Sequence, residues 1–263
     1  MLRPRLIVSL LVDRQLHLVK TTAFHQRHYL GDPLNAAYVF SGYEVDELLV
    51  FDIDATPEGR SIPLRFVEAL ARFTSVPLAV GGGIRSLAHI HDLLALGVEK
   101  VVLSAALVDG LSFLEEAVAR FGSSTITVAL TLHSGSTAGP LACFGRPGPA
   151  NPGQPLLPLA LACQAAGAGE LVLHDSRREG TRSGFDVALL AALNEQLTIP
   201  LVALGGCGDH SHIDALLSAS PLSGVAAGSL FAYAPSSREV LLNYPHTGRW
   251  LEGHLPALAE VWG

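Results

Sequence analysis

The chain has 263 residues, of which 49% are hydrophobic and only 16% charged. That balance argues against disorder and suits one large α/β domain over residues 1–263 better than two small ones. A net charge of -7 and a pI near 5.8 leave no general basic field, so no nucleic-acid partner is expected, although a local phosphate site needs none.

Cys143, Cys163 and Cys207 lie far apart with no CxxC spacing. Neither a disulfide framework nor a zinc site is expected, and a reducing, cytoplasmic setting fits. The N-terminus shows no targeting pattern, and no run of roughly 18 uncharged apolar residues occurs, so no membrane partner is expected. Nothing in the pattern implies a metal or a cofactor. Lys20 and Lys100 are the two lysines among 17 Lys and Arg residues. Where arginine is the habitual cation, a retained lysine suggests a need for a compact ammonium, with chance as the alternative.

In chain order, short apolar runs predict strands at 5–11, 47–52, 77–80, 100–103, 125–130, 170–174, 200–204 and 224–227. Between them lie amphipathic stretches such as 62–73, 88–96, 111–121 and 187–197. Eight strands with crossovers in this length predict a (β/α)8 barrel. An internal repeat agrees, because 45–52 recurs as 168–175 and Val76-Pro77-Leu78 with Gly82-Gly83 recurs as Ile199-Pro200-Leu201 with Gly205-Gly206. A repeat of half the chain predicts a barrel of two half-barrels. The segment 133–158 breaks the rhythm. Rich in Gly, Pro and Ser, it reads as a flap over the top face, with a divergent surface excursion as the alternative.

The carboxyl ends of barrel strands form the active-site face. Glycine-rich or small turns end four of them: Gly81-Gly82-Gly83, Ser104-Ala105-Ala106, Gly205-Gly206 and Gly228-Ser229. Such turns let backbone N–H groups approach a phosphate, two sites in all, although glycine after a strand is also ordinary turn chemistry.

Charges also stand at the amino ends of the strands. Arg5, Glu47, Lys100 and Glu170 each open one, and the last three come from strands two, four and six. Alternate strands supply one layer of a barrel interior, so these should meet in one plane, joined by Arg5. A buried ring of two acids and two bases is a poor route to stability, which favours a functional reason over solvated strand starts.

These features, with Gly31-Asp32-Pro33, Val80-Gly81-Gly82-Gly83-Ile84, Gly167-Ala168-Gly169-Glu170, Glu179-Gly180-Thr181 and Ala227-Gly228-Ser229-Leu230-Phe231, resemble the cyclase subunit of imidazole glycerol phosphate synthase. The resemblance implies a glutaminase partner whose ammonia enters the barrel bottom through a gate, matched here by Arg5, Glu47, Lys100 and Glu170. It also implies a phosphorylated ligand held by Gly83, Ser104, Ala105, Gly180, Gly206, Gly228 and Ser229, with Lys20 near the substrate. The family's two catalytic aspartates fall on Leu11 and Thr131, which cannot do carboxylate acid–base work. His174, with Asp52 or Asp175, is a candidate substitute; Asp54 also stands at the top of strand two.

Leucine at position 11, Val19-Lys20-Thr21, 52–56 and Leu242-Asn243-Tyr244-Pro245 resemble the branch of this family associated with acetamidino sugars. That likeness implies ammonia supply to a separate sugar amidotransferase acting on a surface polysaccharide. A persisting cyclase in histidine biosynthesis and a silent scaffold that binds a phosphorylated ligand are the other readings.

Overall fold

A computed structural model describes residues 3–136, 139–234, 237 and 239–245. Strand β1 (Arg5–Val12) is followed by a hairpin of β2 (Leu18–Thr22) and β3 (Gln26–Gly31), then by α1 (Pro33–Gly42). Strands and helices then alternate through β4 (Glu47–Asp52), α2 (Leu64–Phe73), β5 (Leu78–Gly81), α3 (Leu87–Ala95), β6 (Lys100–Leu103) and α4 (Ser112–Phe121). Next come β7 (Ile126–Ser136), the short β8 (Gly139–Phe144) and β9 (Gln154–Pro155), and α5 (Leu156–Ala165). The second half closes with β10 (Glu170–Asp175), α6 (Val187–Gln196), β11 (Leu201–Leu204), α7 (His210–Ala219), β12 (Gly224–Ala227) and α8 (Ser229–Ala232).

Eight of these strands pair in parallel in the order β1, β4, β5, β6, β7, β10, β11, β12, and β12 pairs back onto β1. The chain is therefore a closed (β/α)8 barrel, as its pattern predicts. Alternation along each strand splits the apolar residues into two shells. Leu6, Val8, Leu10 and Val12 of β1 join the outer shell, which is packed under the helices. Ile7, with Leu49, Ala79, Val102, Ala129, Val172, Val202 and Ala226, fills the bore. Arg5 and Leu11 are in phase with Ile7, so the inward face of β1 carries a cation at its lower end and a leucine at its upper end.

The helices form for local reasons. Pro33 opens α1, and Asp32 caps it by accepting from Leu34 N at 2.7 Å and Asn35 N at 3.1 Å. In α2, Phe66, Val67 and Leu70 are buried, while Glu68 and Arg72 pair four residues apart at 2.6 Å on the exposed side.

Two features depart from the sequence pattern. The β2–β3 hairpin stands between β1 and α1, and its second strand carries no apolar alternation because Gln26, Arg27 and Tyr29 face solvent. The 133–158 segment is a hairpin more than a loop: β7 continues upward and β8 folds back on it, with Leu130 opposite Phe144 and Thr131 opposite Cys143. Within that segment residues 137 and 138 lie outside the described residues, and α5 already begins at Leu156. The half-barrel repeat holds at the turns after β5 and β11. Gly83 and Gly206 both have positive φ, and a Cβ on either would collide with a backbone carbonyl, that of Arg60 or of Gly184.

Candidate functional site

The lower end of the bore is closed by four side chains from four different strands. Arg5 donates through Nη1 to Glu47 Oε2 and through Nη2 to Glu170 Oε2. Opposite it, Lys100 Nζ donates to Glu47 Oε2 at 3.0 Å and to Glu170 Oε1 at 3.1 Å. Each acid thus serves both bases, and each base both acids. The two acids are buried, whereas the bases keep 26% and 19% of their side-chain surface. That difference puts the carboxylates on the barrel side and the cations toward solvent at the bottom. Burial works against the charge of Arg5, but Glu170 and Glu47 outweigh it and hold the guanidinium above its ordinary pKa.

Register explains the meeting. Arg5 lies beside Gly224, Ile7 beside Glu47, Ala79 beside Lys100 and Thr127 beside Glu170. The layer above the ring is therefore Ile7, Ala79, Thr127 and Val202, apolar except for a hydroxyl. Thr127 Oγ1 is buried with no hydrogen-bond partner among the described residues. The next layer, Leu49, Val102, Val172 and Ala226, is wholly apolar.

The mouth is organised differently. Leu11 and Thr131 are both buried, so neither inward position at the upper ends of β1 and β7 offers a carboxylate. Asp52 accepts from the N–H groups of Asp54 and Ala55 at 3.1 and 3.0 Å and pairs with Arg60. Asp175, its counterpart in the repeat, accepts from Arg177 N at 3.0 Å and from the Arg177 guanidinium at 3.2 Å. Asp54 is held by Arg27 at 2.5 and 2.6 Å, and that bond, with the Arg14 backbone, keeps its carboxyl below the usual range despite partial burial. These three acids cap turns and bind arginines.

His174 does not pair with any of them. It is in phase with Glu170 on the inward face of β10, whereas Asp175, the next residue, turns the other way. Its Nε2 lies 3.0 Å from Glu179 Oε2, and Phe24 of the hairpin turn packs edge-on against the ring at 4.8 Å. Glu179 is buried, yet its pKa is lowered: burial pushes it up, and the bond to His174 with the charges of His174 and Lys20 outweighs that. Glu179, within the Glu179-Gly180-Thr181 motif, is a partner that the sequence pattern does not reveal. It lies in the turn after β10, where no periodicity applies.

Lys20 is fully enclosed on β2, and Nζ donates to Ser9 O at 3.0 Å. Burial lowers its pKa against the opposing charge of Glu179. A Cβ at Gly228 would collide with this ammonium, so glycine there makes room for Lys20. Lys20, Thr21, His28, Gly180, Arg182 and Ser229 line a small crevice with a free volume of about 10 Å³. Thr21 Oγ1 and His28 Nε2 are buried there without hydrogen-bond partners among the described residues. Gly206 stands apart from that lining.

The equivalent turn of the first half is already occupied. Ser104 Oγ donates to Ala129 O at 2.6 Å and accepts from Gly145 N of the flap at 2.8 Å. Gly145 also packs on Ala105, the neighbour of Ser104. Arg146 then reaches across the mouth to Phe24 O at 3.0 Å, tying the flap to the β2–β3 hairpin. Gly83 belongs to this half and packs against Arg60.

Among the described residues no group of three or more His, Cys, Asp and Glu side chains could hold a metal ion, and no helix is long and apolar enough to cross a membrane. The three cysteines are free and buried.

With this geometry in place, the comparisons are specific. Residues 6–236 match the family model described as "Histidine biosynthesis protein". A protein of Leptospira borgpetersenii named "Putative imidazole glycerol phosphate synthase subunit HisF" is 35% identical over 246 residues, 94% of this chain and 96% of its own length. A Pseudomonas aeruginosa protein named "Putative imidazole glycerol phosphate synthase subunit hisF2" is 35% identical over 95% of this chain and 98% of its own. The "Imidazole glycerol phosphate synthase subunit HisF" of Lactococcus lactis is 32% identical over 84% of this chain and 85% of its own. The chain belongs to the histidine biosynthesis protein family and is, within it, a HisF-like barrel subunit.

Proposed function

We propose that this barrel receives ammonia from a glutaminase partner through its lower end and does not act as the histidine-pathway cyclase. The observation that carries the reading is the closed ring of Arg5, Glu47, Lys100 and Glu170, buried on its acid side and capped by an apolar bore. Four charges held, among the described residues, by one another are an expensive way to close a barrel end. A gate for a small neutral molecule gives them a use, because neutral ammonia passes an apolar bore that an ammonium ion would enter only at a high desolvation cost. Leu11 and Thr131 at the mouth support the loss of the family's own acid–base step.

In this reading the second-half cavity around Lys20, Gly180 and Ser229 holds the phosphate of a small-molecule ligand. The ammonia serves acetamidino modification of a surface-polysaccharide sugar, with a sugar amidotransferase as the further partner. Co-purification with the cognate glutaminase, followed by glutamine turnover, tests it. The expected result is a heterodimer whose turnover exceeds that of the glutaminase alone; no complex and no change in turnover would overturn it. A second reading, cyclase activity persisting in histidine biosynthesis, draws on the names of the relatives and on the imidazole at the mouth. Growth of a cyclase-deficient strain supplied with ammonia separates the two.

A further inference from the structure

We propose that His174 and Glu179 form a proton-transfer pair at the mouth, standing one strand over from the position where the family resemblance places an aspartate. The inference rests on the anionic-ligand part of the function proposed above. Three observations carry it.

The first is register. His174 is the β10 partner of Thr131 on β7. Adjacent strands lie about 4.8 Å apart, so an imidazole reaching from His174 enters the space that a longer acidic side chain at 131 would occupy. The β10 site is also where the two half-barrels diverge: the repeat puts Phe51 at the place of His174, and Phe51 lies over Gly81 instead of meeting an acid.

The second is the hydrogen-bond pattern. Nε2 faces the Glu179 carboxylate at 3.0 Å. A carboxylate accepts only, so with an ionised Glu179 the neutral ring must carry its proton on Nε2. That leaves the lone pair on Nδ1, which makes no hydrogen bond among the described residues and is not a buried orphan. A carboxylate that fixes the tautomer and then stabilises the imidazolium is the arrangement by which a histidine serves as base and afterwards as acid. The proton balance is simple. Nδ1 takes a proton from the ligand while Nε2 keeps its own, hydrogen-bonded to Glu179, and the proton on Nδ1 then returns to the product.

The third is position. Glu179 precedes Gly180, which lines the cavity shared by Lys20, Thr21, His28 and Ser229. A phosphate bound at the Lys20–Gly180 crevice would sit beside the turn that carries Glu179. The described neighbours of the ring are Glu179 from its own turn, Phe24 from the hairpin and Thr131 from β7, while Lys20 from β2 acts on Glu179. The ligand class is therefore a phosphorylated small molecule with an acidic proton near its reacting carbon or nitrogen.

The test uses the full chain. Long-range proton–nitrogen NMR at neutral pH reads the tautomer of His174, assigned through His174→Gln. In parallel, acylation of that imidazole by diethyl pyrocarbonate is followed by peptide mass spectrometry, with inorganic phosphate as the probe for the cavity. The expected result is a proton on Nε2, a mixed tautomer in Glu179→Ala, and acylation slowed at least tenfold by saturating phosphate in the wild type but not in Lys20→Gln. A proton on Nδ1, or a ring that does not react, overturns the pair, and the wild-type NMR reading stands even where a variant fails to fold. Nε2–H with normal reactivity and no protection by phosphate supports the pair and overturns the anionic-ligand site instead.

Discussion

The two ends of the barrel handle charge in opposite ways. At the bottom, four charged side chains from β1, β4, β6 and β10 bind one another, with no local partner among the described residues. At the mouth, Asp52 and Asp175 bind N–H groups of their own turns and nearby arginines, Asp54 binds Arg14 N and Arg27, and among the described residues His174, Glu179 and Lys20 form a charged cluster inside. The difference is instructive because carboxylates stand at both ends. An acid that caps its own turn has a structural reason to exist. An acid whose partners lie 42 to 165 residues away has none in the local chain, and its presence points to what the barrel does.

The largest expected effect comes from breaking the bottom ring. Glu170→Ala leaves Arg5 and Lys100 short of a partner in a partly buried site and should cost about 3–5 kcal/mol, read by urea denaturation. Asp175→Ala, at the other end of the same strand, frees Arg177 to water and leaves Arg178 its bond to Gly184 O, and should cost about 1–2 kcal/mol. Equal losses at the two positions would erase the contrast. A double-mutant cycle sharpens it further. Glu47 with Lys100 should show a coupling of about 1–3 kcal/mol, because the pair shares a network. Arg27 with Asp54, where the arginine is 41% exposed, should show no more than about 1 kcal/mol.

A pH dependence comes next. The carboxyl of Glu179 sits below its ordinary value of 4.5, against burial, because of His174 and Lys20. A depressed folded-state pKa contributes stability that is complete above the unfolded value and is lost as pH falls through the folded one. The stability difference between wild type and Glu179→Gln should therefore be constant above about pH 4.5 and shrink in more acidic solution. A flat difference throughout would deny the His174–Glu179 contact. The smallest effect belongs to the flap. Arg146→Ala removes one exposed hydrogen bond to Phe24 and should change stability by less than about 0.5 kcal/mol, while hydrogen exchange in the β2–β3 hairpin rises.

Much of this was legible in the sequence, for identifiable reasons. The eight strands announce themselves through short apolar runs, and the half-barrel repeat fixes their equivalence. Arg5, Glu47, Lys100 and Glu170 were readable as a ring because layers in a barrel follow strand parity, a rule that needs only strand starts. The hairpin was not readable, since β3 lies exposed over the mouth and owes its pairing to β2 rather than to an apolar face. The partner of His174 was not readable either. Proximity in sequence favours Asp175, but adjacent strand residues face opposite ways, and the turn after β10 folds Glu179 back onto the ring. Of the two lysines, Lys100 closes the bottom ring and Lys20 fills the space left by Gly228, so each occupies one of the two candidate sites.

If the ring is a gate for ammonia, breaking it uncouples the glutaminase from the barrel. The most direct test is glutamine turnover by the cognate glutaminase in complex with the wild-type barrel and with Glu170→Ala, with binding affinity measured beside it. The account predicts that wild-type barrel raises turnover severalfold and that Glu170→Ala loses most of that gain while still binding. Identical turnover with both barrels, at equal occupancy, would contradict it.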